Sequence, residues 1–139
     1  VLIDRTGTRS IKEMGGLADK MPITATLTLL GFFAIGGVPP TIGFMSKFMI
    51  FTGVFESALI GSEAQLLVAI VSIIMTVLTV GYSLWTVRRI FFGPLAEGME
   101  NVKEGKILML LPMAVFALLA LVIGVYPRLV LDYLLPFFG

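Results

Sequence analysis

Long apolar stretches separated by short polar connections dominate the chain. Residues 21–41, 66–87 and 107–126 contain no charged side chain. Each stretch has about the 20 residues that an α-helix needs to cross a hydrocarbon core of roughly 30 Å. The pattern therefore predicts an all-α integral membrane protein built from polytopic transmembrane helices.

The polar connections set the segment boundaries. We predict a connection over residues 1–20 and a discontinuous helix over 21–60, broken in its middle. Two unbroken helices are predicted over 64–90 and 106–126, followed by an apolar tail over 127–139. We expect this tail to lie on the membrane surface or on a neighbouring subunit.

Short local patterns mark individual helix ends. Ser10 to Glu13 fits the S-x-x-E capping box and predicts a short interfacial helix. Pro22 suits the first turn of the broken helix. Tyr82 and Trp85 lie close to Arg88, where an aromatic belt is expected at the end of a membrane helix.

The distribution of lysine and arginine predicts the number of crossings. If residues 21–60 crossed the membrane twice, the basic residues would divide almost evenly between the two sides. If they cross once, the connections 4–20 and 88–106 share one side and hold eight of the ten basic residues. The positive-inside rule favours this second arrangement. It predicts three crossings, a cytoplasmic N-terminal end and a C-terminus on the outer side.

Composition supports the membrane class and excludes others. The apolar fraction is 58%, charged residues make up 14%, and the mean hydropathy is +1.03. A net charge of +1 gives no electrostatic reason to expect nucleic acid as a partner. The chain has no cysteine and no histidine, so we expect no disulfide, no metal site and no cofactor.

The N-terminal residues predict that more sequence lies upstream. No signal peptide is visible, and the chain does not begin with methionine. Val1-Leu2-Ile3 followed by Asp4-Arg5 is typical of the end of a membrane helix. We therefore interpret the chain as a C-terminal piece of a longer or split protein. A non-Met start codon or a trimmed terminus is the alternative.

Helix breakers interrupt the first apolar segment in the stretch GGVPPTIGFMSK. Proline removes a backbone donor, and glycine lowers helix propensity. Unpaired backbone at membrane depth is tolerated where it is buried in protein or lines a water-filled cavity, so a broken helix indicates an ion pathway. The predicted break residues are Gly36, Gly37, Pro39, Pro40 and Gly43.

Lys47 follows this break and is the candidate functional residue. A charge at membrane depth costs at least about 2.5–3.5 kcal/mol and usually faces a bundle interior or cavity. Desolvation favours the neutral amine, whereas freed backbone oxygens favour the ammonium. A lysine between these effects can load and release a proton, which predicts a proton relay. The alternative is a structural lysine that snorkels to the interface.

Four other polar side chains are weaker candidates for lining a pathway. Thr41 and Ser46 could hydrate the break or contact Lys47, although such hydroxyls also bond their own helix backbone. Glu56 could accept a proton from Lys47 or could be an ordinary interfacial residue. Tyr82 could line the path or belong to the aromatic belt.

The motifs GGLADKMP, GGVPPTIGFMSKFMIF and GYSLWTVRRIFFG resemble the C-terminal part of antiporter-like membrane subunits. Such subunits occur in respiratory complex I, multisubunit cation/proton antiporters and energy-converting membrane hydrogenases. The resemblance covers nearly the whole chain, and the G-x-P-P-x-x-G-F-x-x-K core is fairly specific. It implies that residues 21–60 form the second discontinuous helix of a fourteen-helix bundle.

The resemblance also implies a function for this chain. Lys47 matches the protonatable group after the break, on the exit side of a proton or Na⁺ path. The subunit would itself be non-catalytic, within a redox-driven oxidoreductase complex or a membrane hydrogenase. The alternatives are a stand-alone cation/proton antiporter and a structural membrane subunit without its own ion path.

The resemblance is incomplete in one respect that determines the expected partners. The family's other essential charged groups lie in upstream helices that this sequence does not contain. We therefore expect a chain or segment carrying those helices, further membrane subunits and the lipid bilayer as partners. A prokaryotic cell membrane is the expected location.

Overall fold

The computed structural model describes residues 1–60, 63–134 and 136, and the regular elements in these ranges are all helical. They are α1 (Leu2–Thr6), a 3₁₀ helix (Ile11–Glu13), α2 (Pro22–Gly36), α3 (Ile42–Ile60), α4 (Glu63–Phe91), α5 (Ile107–Val125) and α6 (Arg128–Leu134). Three of the described helices, α3, α4 and α5, are long and apolar enough to cross a membrane. The predicted all-α class with three such helices is confirmed.

The first apolar segment contains two helices; of the predicted break residues, Gly37, Pro39 and Pro40 lie between them, Gly36 is the last residue of α2, and Gly43 lies inside α3. Helix α2 begins at Pro22 and ends at Gly36, and α3 begins at Ile42. Helices α4 and α5 begin and end within one residue of the predicted bounds 64–90 and 106–126. A short helix, α6, forms within the predicted tail.

The chain forms two compact units. The first consists of Val1–Phe32 and Tyr82–Leu118, and the second of Phe33–Gly81 and Leu119–Gly139 so far as they are described. Helices α2, α4 and α5 each contribute residues to both units.

The first unit has a buried core built from the two basic connections and the adjoining helix ends. Leu17 is fully buried and Phe91 nearly so. Backbone bonds join the connections: the Leu17 amide donates to Ile90 O at 3.3 Å, and the Ala18 amide donates to Phe91 O at 2.9 Å. The core side chains are Met14, Leu17, Met21, Ala25, Val87, Ile90, Phe91, Met99 and Val102.

The two basic connections contact each other directly. Besides the bonds of Leu17 and Ala18, the Ala96 amide donates to Gly15 O at 3.3 Å. The number of times that residues 21–60 cross the membrane, and the side on which the connections lie, stay predictions.

A short 3₁₀ helix forms after Ser10, but its cap differs from the predicted capping box. Ser10 precedes the 3₁₀ helix and makes no side-chain cap bond. Instead, the Thr8 hydroxyl donates to Glu13 Oε2 at 2.5 Å and accepts the Ser10 amide at 3.1 Å. Thr8 thus engages the carboxylate that the box would direct to the Ser10 backbone.

The membrane-length helices leave large apolar side chains uncovered. On α4, Val77 is 64% exposed, and on α5, Leu108 is 82% exposed. Such surfaces require lipid or other membrane helices around them, because soluble proteins rarely expose contiguous apolar patches of this extent.

Candidate functional site

Local backbone geometry ends α2 and begins α3. Gly37 has a φ of 77° in the left-handed region, as the residue after a helix commonly does. The amides of Gly37 and Val38 both donate to Phe33 O at 2.9 Å. The following Pro39–Pro40 bond is cis, and the Phe44 amide donates to Thr41 O at 3.1 Å. The interruption therefore satisfies much of its own backbone.

Lys47 reaches back across this interruption to the end of α2. Its ammonium donates to Ile35 O at 3.1 Å and to Gly36 O at 2.9 Å. Both carbonyls belong to the last turn of α2, which carries the partial negative charge of the helix dipole. A lysine side chain is therefore a favourable partner at this helix end.

Two glycines make room for this arrangement. A Cβ on Gly37 would lie 2.7 Å from Lys47 Cδ, so a side chain there would displace the lysine. A Cβ on Gly43 would overlap the carbonyl oxygen of Ala34. The two half-helices approach each other closely because both positions lack a side chain.

The hydroxyls near the break bond to backbone. Thr41 is buried, and its Oγ1 donates to Val38 O at 2.7 Å, with Phe33 O a second acceptor at 3.3 Å. Ser46 is exposed and donates to Ile42 O of its own helix at 3.1 Å. The structure gives neither hydroxyl a bond to Lys47, and their pathway-lining role stays a prediction.

Helix geometry separates Glu56 from Lys47 along α3. Glu56 follows Lys47 by nine positions on α3, which is about two and a half turns and roughly 13 Å along the axis. The two side chains therefore start from opposite faces of the helix. Tyr82 belongs to the first unit and is 54% exposed on α4. Their proposed roles also stay predictions.

Glu104 is a charged residue whose structural role the sequence did not indicate. It lies in the connection before α5, and its carboxylate binds the N-terminal end of α2. The amides of Ile23 (2.8 Å) and Thr24 (3.3 Å) donate to it, as does the Thr24 hydroxyl at 2.5 Å. The Gly105 amide adds a fourth donor at 2.9 Å.

The environment of Glu104 stabilises its ionised form. Burial raises the pKa of Glu104, but hydrogen bonds from Thr24, Gly105 and Ile23 lower it. The net result is a pKa below its ordinary value of 4.5. A carboxylate at the positive end of a helix gains further from the dipole. Glu104 is therefore a long-range N-terminal cap of α2.

The site contains no cluster that would hold a metal. In the ranges that the structure describes, no group of three or more acidic, histidine or cysteine side chains is placed to bind an ion. The polar groups described at the break are the Lys47 amine, backbone carbonyls and the hydroxyls of Thr41 and Ser46.

Comparison with known proteins identifies the relatives of the chain. Residues 1–79 match the family described as the transmembrane region of NADH:quinone oxidoreductase and Mrp antiporter subunits. The chain is 35% identical over 129 residues to F(420)H(2) dehydrogenase subunit M of Methanosarcina mazei, covering 93% of this chain and 25% of that protein. It is 36% identical over 132 residues to Na(+)/H(+) antiporter subunit A1 of Staphylococcus aureus, covering 88% and 16%. The chain thus spans a quarter or less of the length of these relatives.

Proposed function

The chain belongs to the transmembrane family of NADH:quinone oxidoreductase and Mrp antiporter subunits, and we propose that it takes part in proton or Na⁺ translocation across the membrane. It would form the C-terminal part of an antiporter-like subunit in a larger complex, redox-driven or antiporting. The names of its relatives, a dehydrogenase subunit and an antiporter subunit, support both kinds of complex.

Lys47 is the proposed relay group, and its two carbonyl bonds are the observation that carries the proposal. A lysine ammonium has three N–H donors, and two of them are taken by Ile35 O and Gly36 O. The third proton can pass to water or to a neighbouring acceptor without breaking either bond. The neutral amine left behind keeps both donors in place. Its lone pair then points where the departing proton was.

Charge movement nearby would drive this exchange. The carbonyl end of α2 carries partial negative charge, which attracts the ammonium. A positive charge approaching the open side of Lys47 would release its proton, and withdrawal of that charge would restore it. In the proposed orientation, with the basic connections in the cytoplasm, the proton leaves toward the outer compartment.

We propose that membrane helices outside this chain supply the remaining groups of the path. Their supply, by an N-terminal part of the same protein or by a separate chain, is consistent with the fraction of the relatives that this chain spans. We propose other membrane subunits and the lipid bilayer as further partners, and a prokaryotic cell membrane as the location.

A structural role for Lys47 is the second candidate, because the same two bonds cap α2. Lys47→Arg separates the two functions. Arginine can donate to the same carbonyls but stays protonated in proteins. We expect Lys47→Arg to assemble in the complex and to lose most ion translocation, measured as acidification of proteoliposomes containing the whole complex. Lys47→Ala should lose both translocation and part of the stability.

The controls make the two candidates distinguishable. Lys103→Arg, an exposed position on the 88–106 connection, should leave both readouts unchanged. Wild-type translocation by Lys47→Arg would refute the relay and leave the structural cap. Repeating the assay with and without Na⁺ identifies the transported ion.

A further inference from the structure

A cavity on the first unit has features that neither the break nor the helix caps use. It has a volume of about 600 Å³ and lies where α4 ends against the 3₁₀ helix and residues 93–97. Three cationic side chains line it: Lys12, Arg88 and Arg89. Glu97 is the single acidic residue in its lining.

The three cations are free to bind an anion. In the described part of the chain, the one ion pair within 4.0 Å joins Arg5 and Asp4, so none of the three is paired with a carboxylate. Glu13, the acidic neighbour of Lys12, is bonded to the Thr8 hydroxyl. The lining thus carries an excess of two positive charges.

The cavity is also partly preorganised. Arg89 Nη2 donates to the Lys12 carbonyl oxygen at 3.3 Å, which holds the end of α4 against the 3₁₀ helix. This bond uses one of the five donors of the Arg89 guanidinium. The remaining donors, with those of Arg88, can bind phosphate oxygens in the two-pronged geometry that arginine favours.

The position of the cavity at the end of α4 indicates the source of a phosphate ligand. Arg88 and Arg89 end a long apolar helix, so they lie at the boundary between hydrocarbon and headgroups. Trp85 lines the cavity with 62% of its surface exposed, as expected of an indole at this boundary. Phe92, also in the lining and 54% exposed, can contact acyl chains.

The geometry points to a binding site for the headgroup of an anionic phospholipid. The phosphate binds Arg88, Arg89 and Lys12, while Trp85 and Phe92 contact the glycerol and upper acyl region. A volume of about 600 Å³ lies within the range of small-molecule sites. The occupant is a lipid of the leaflet on the side where the two basic connections lie.

The test uses the intact complex containing the full subunit, purified and stripped of lipid. Phosphatidylglycerol and phosphatidylcholine are added back, and bound lipid is counted by native mass spectrometry. The wild type should prefer phosphatidylglycerol. Arg88→Gln with Arg89→Gln should lower that preference by roughly tenfold to thirtyfold. Lys12→Gln, outside the membrane helix, should lower it about fivefold.

A matched control separates a site from general attraction. Lys103→Gln with Lys106→Gln removes two cations from the same connection without touching the cavity lining. It should leave the phosphatidylglycerol preference unchanged. Equal losses in the control and in the arginine variant would overturn the proposal. So would wild-type preference in both Lys12→Gln and the arginine variant.

Two further arms identify the occupant. Inorganic phosphate in excess should fail to displace bound phosphatidylglycerol, whereas displacement would assign the cavity to soluble phosphate. Loss of a protein subunit from the arginine variant, with lipid counts unchanged, would assign it to an acidic partner segment. Either outcome refutes the lipid site.

Discussion

Two charged side chains bind the two ends of α2, and they are held in different ways. At the N-terminal end, in the first unit, the Glu104 carboxylate accepts from three backbone amides and the Thr24 hydroxyl. At the C-terminal end, in the second unit, the Lys47 ammonium donates to two carbonyls and keeps a third donor. Each side chain has a charge opposite to the partial charge of the helix dipole at the end it binds.

The two side chains differ in how many of their hydrogen-bonding positions have a partner. Every contact of Glu104 stabilises a single protonation state, so it is a fixed structural cap at neutral pH. Two of the three N–H donors of Lys47 have acceptors among the described residues. The dipole of one helix therefore binds a structural cap, Glu104, at its N-terminal end and the proposed proton relay, Lys47, at its C-terminal end.

The largest effect is expected where the half-helices approach each other most closely. Gly43→Ala places a Cβ on the Ala34 carbonyl, and backbone cannot yield as a side chain can. We expect a loss of more than about 3 kcal/mol, or failure to assemble, because overpacking a fixed site exceeds the usual 1–3 kcal/mol. The measurement is the amount of assembled complex and its thermal unfolding.

Gly53→Ala is the matched control on the same helix. Apart from its chain neighbours and the adjacent backbone of its own helix, no described atom lies within 4 Å of its added Cβ, so the substitution should be neutral or raise stability by up to about 1 kcal/mol. Similar behaviour of the two alanine variants would show that the break does not depend on close approach.

Removing the cap at the other end of α2 should have a smaller effect. Glu104→Ala takes the carboxylate from the Ile23 and Thr24 amides and from the Thr24 hydroxyl. We expect a loss of about 1–2 kcal/mol, the usual cost of an N-terminal cap. Glu100→Ala is the control, since Glu100 is exposed and accepts one long bond, 3.4 Å, from Gly98. Equal thermal stability of the two variants would contradict the cap.

The cap also predicts how stability depends on pH. Because the pKa of Glu104 is lowered in the folded protein, its contribution is present above the ordinary value of 4.5. It is lost as pH falls from there through the lower folded pKa. The stability difference between wild type and Glu104→Gln should therefore be constant near neutral pH and shrink below about pH 4.5. A difference that grows on acidification would refute an ionised cap.

The smallest effect is expected from the hydroxyls at the break. Thr41→Val keeps the shape of a buried side chain but removes its bond to Val38 O, at a cost of about 1 kcal/mol. Ser46→Ala removes an exposed bond within α3 and should change stability by less than about 0.5 kcal/mol. Thermal unfolding of the two variants ranks them, and the reverse order would argue that Ser46 is the buried partner.

Local sequence patterns predicted the features that depend on nearby residues. The helix breakers predicted the interruption between α2 and α3, Pro22 predicted the start of α2, and the apolar pattern predicted an all-α chain with three helices long enough to cross a membrane. The capping box at Ser10 was wrong in its bonding because Thr8, two residues earlier, competes for Glu13. Such competition among short polar side chains is not visible in a motif.

The sequence patterns did not predict hydrogen bonds between residues that lie far apart along the chain. Glu104 lies 80 residues from Thr24, and no periodicity marks one acidic residue in a polar connection as the cap of a distant helix. The angular position of Glu56 relative to Lys47, by contrast, follows from 3.6 residues per turn. The nine-residue spacing of Lys47 and Glu56 can be read from the sequence, and it argues against Glu56 as the direct acceptor of a proton from Lys47.

The acceptors of Lys47 are main-chain atoms, and this has a consequence for mutational tolerance. Every amino acid supplies the same carbonyl, so Ile35, which is 56% exposed, can change without altering what the lysine binds. A search for pairs of positions that vary together would find no partner for Lys47. Constraint should concentrate instead on the lysine itself and on the absence of side chains at Gly37 and Gly43. A saturation library of residues 34–47, scored for translocation, would display that pattern directly.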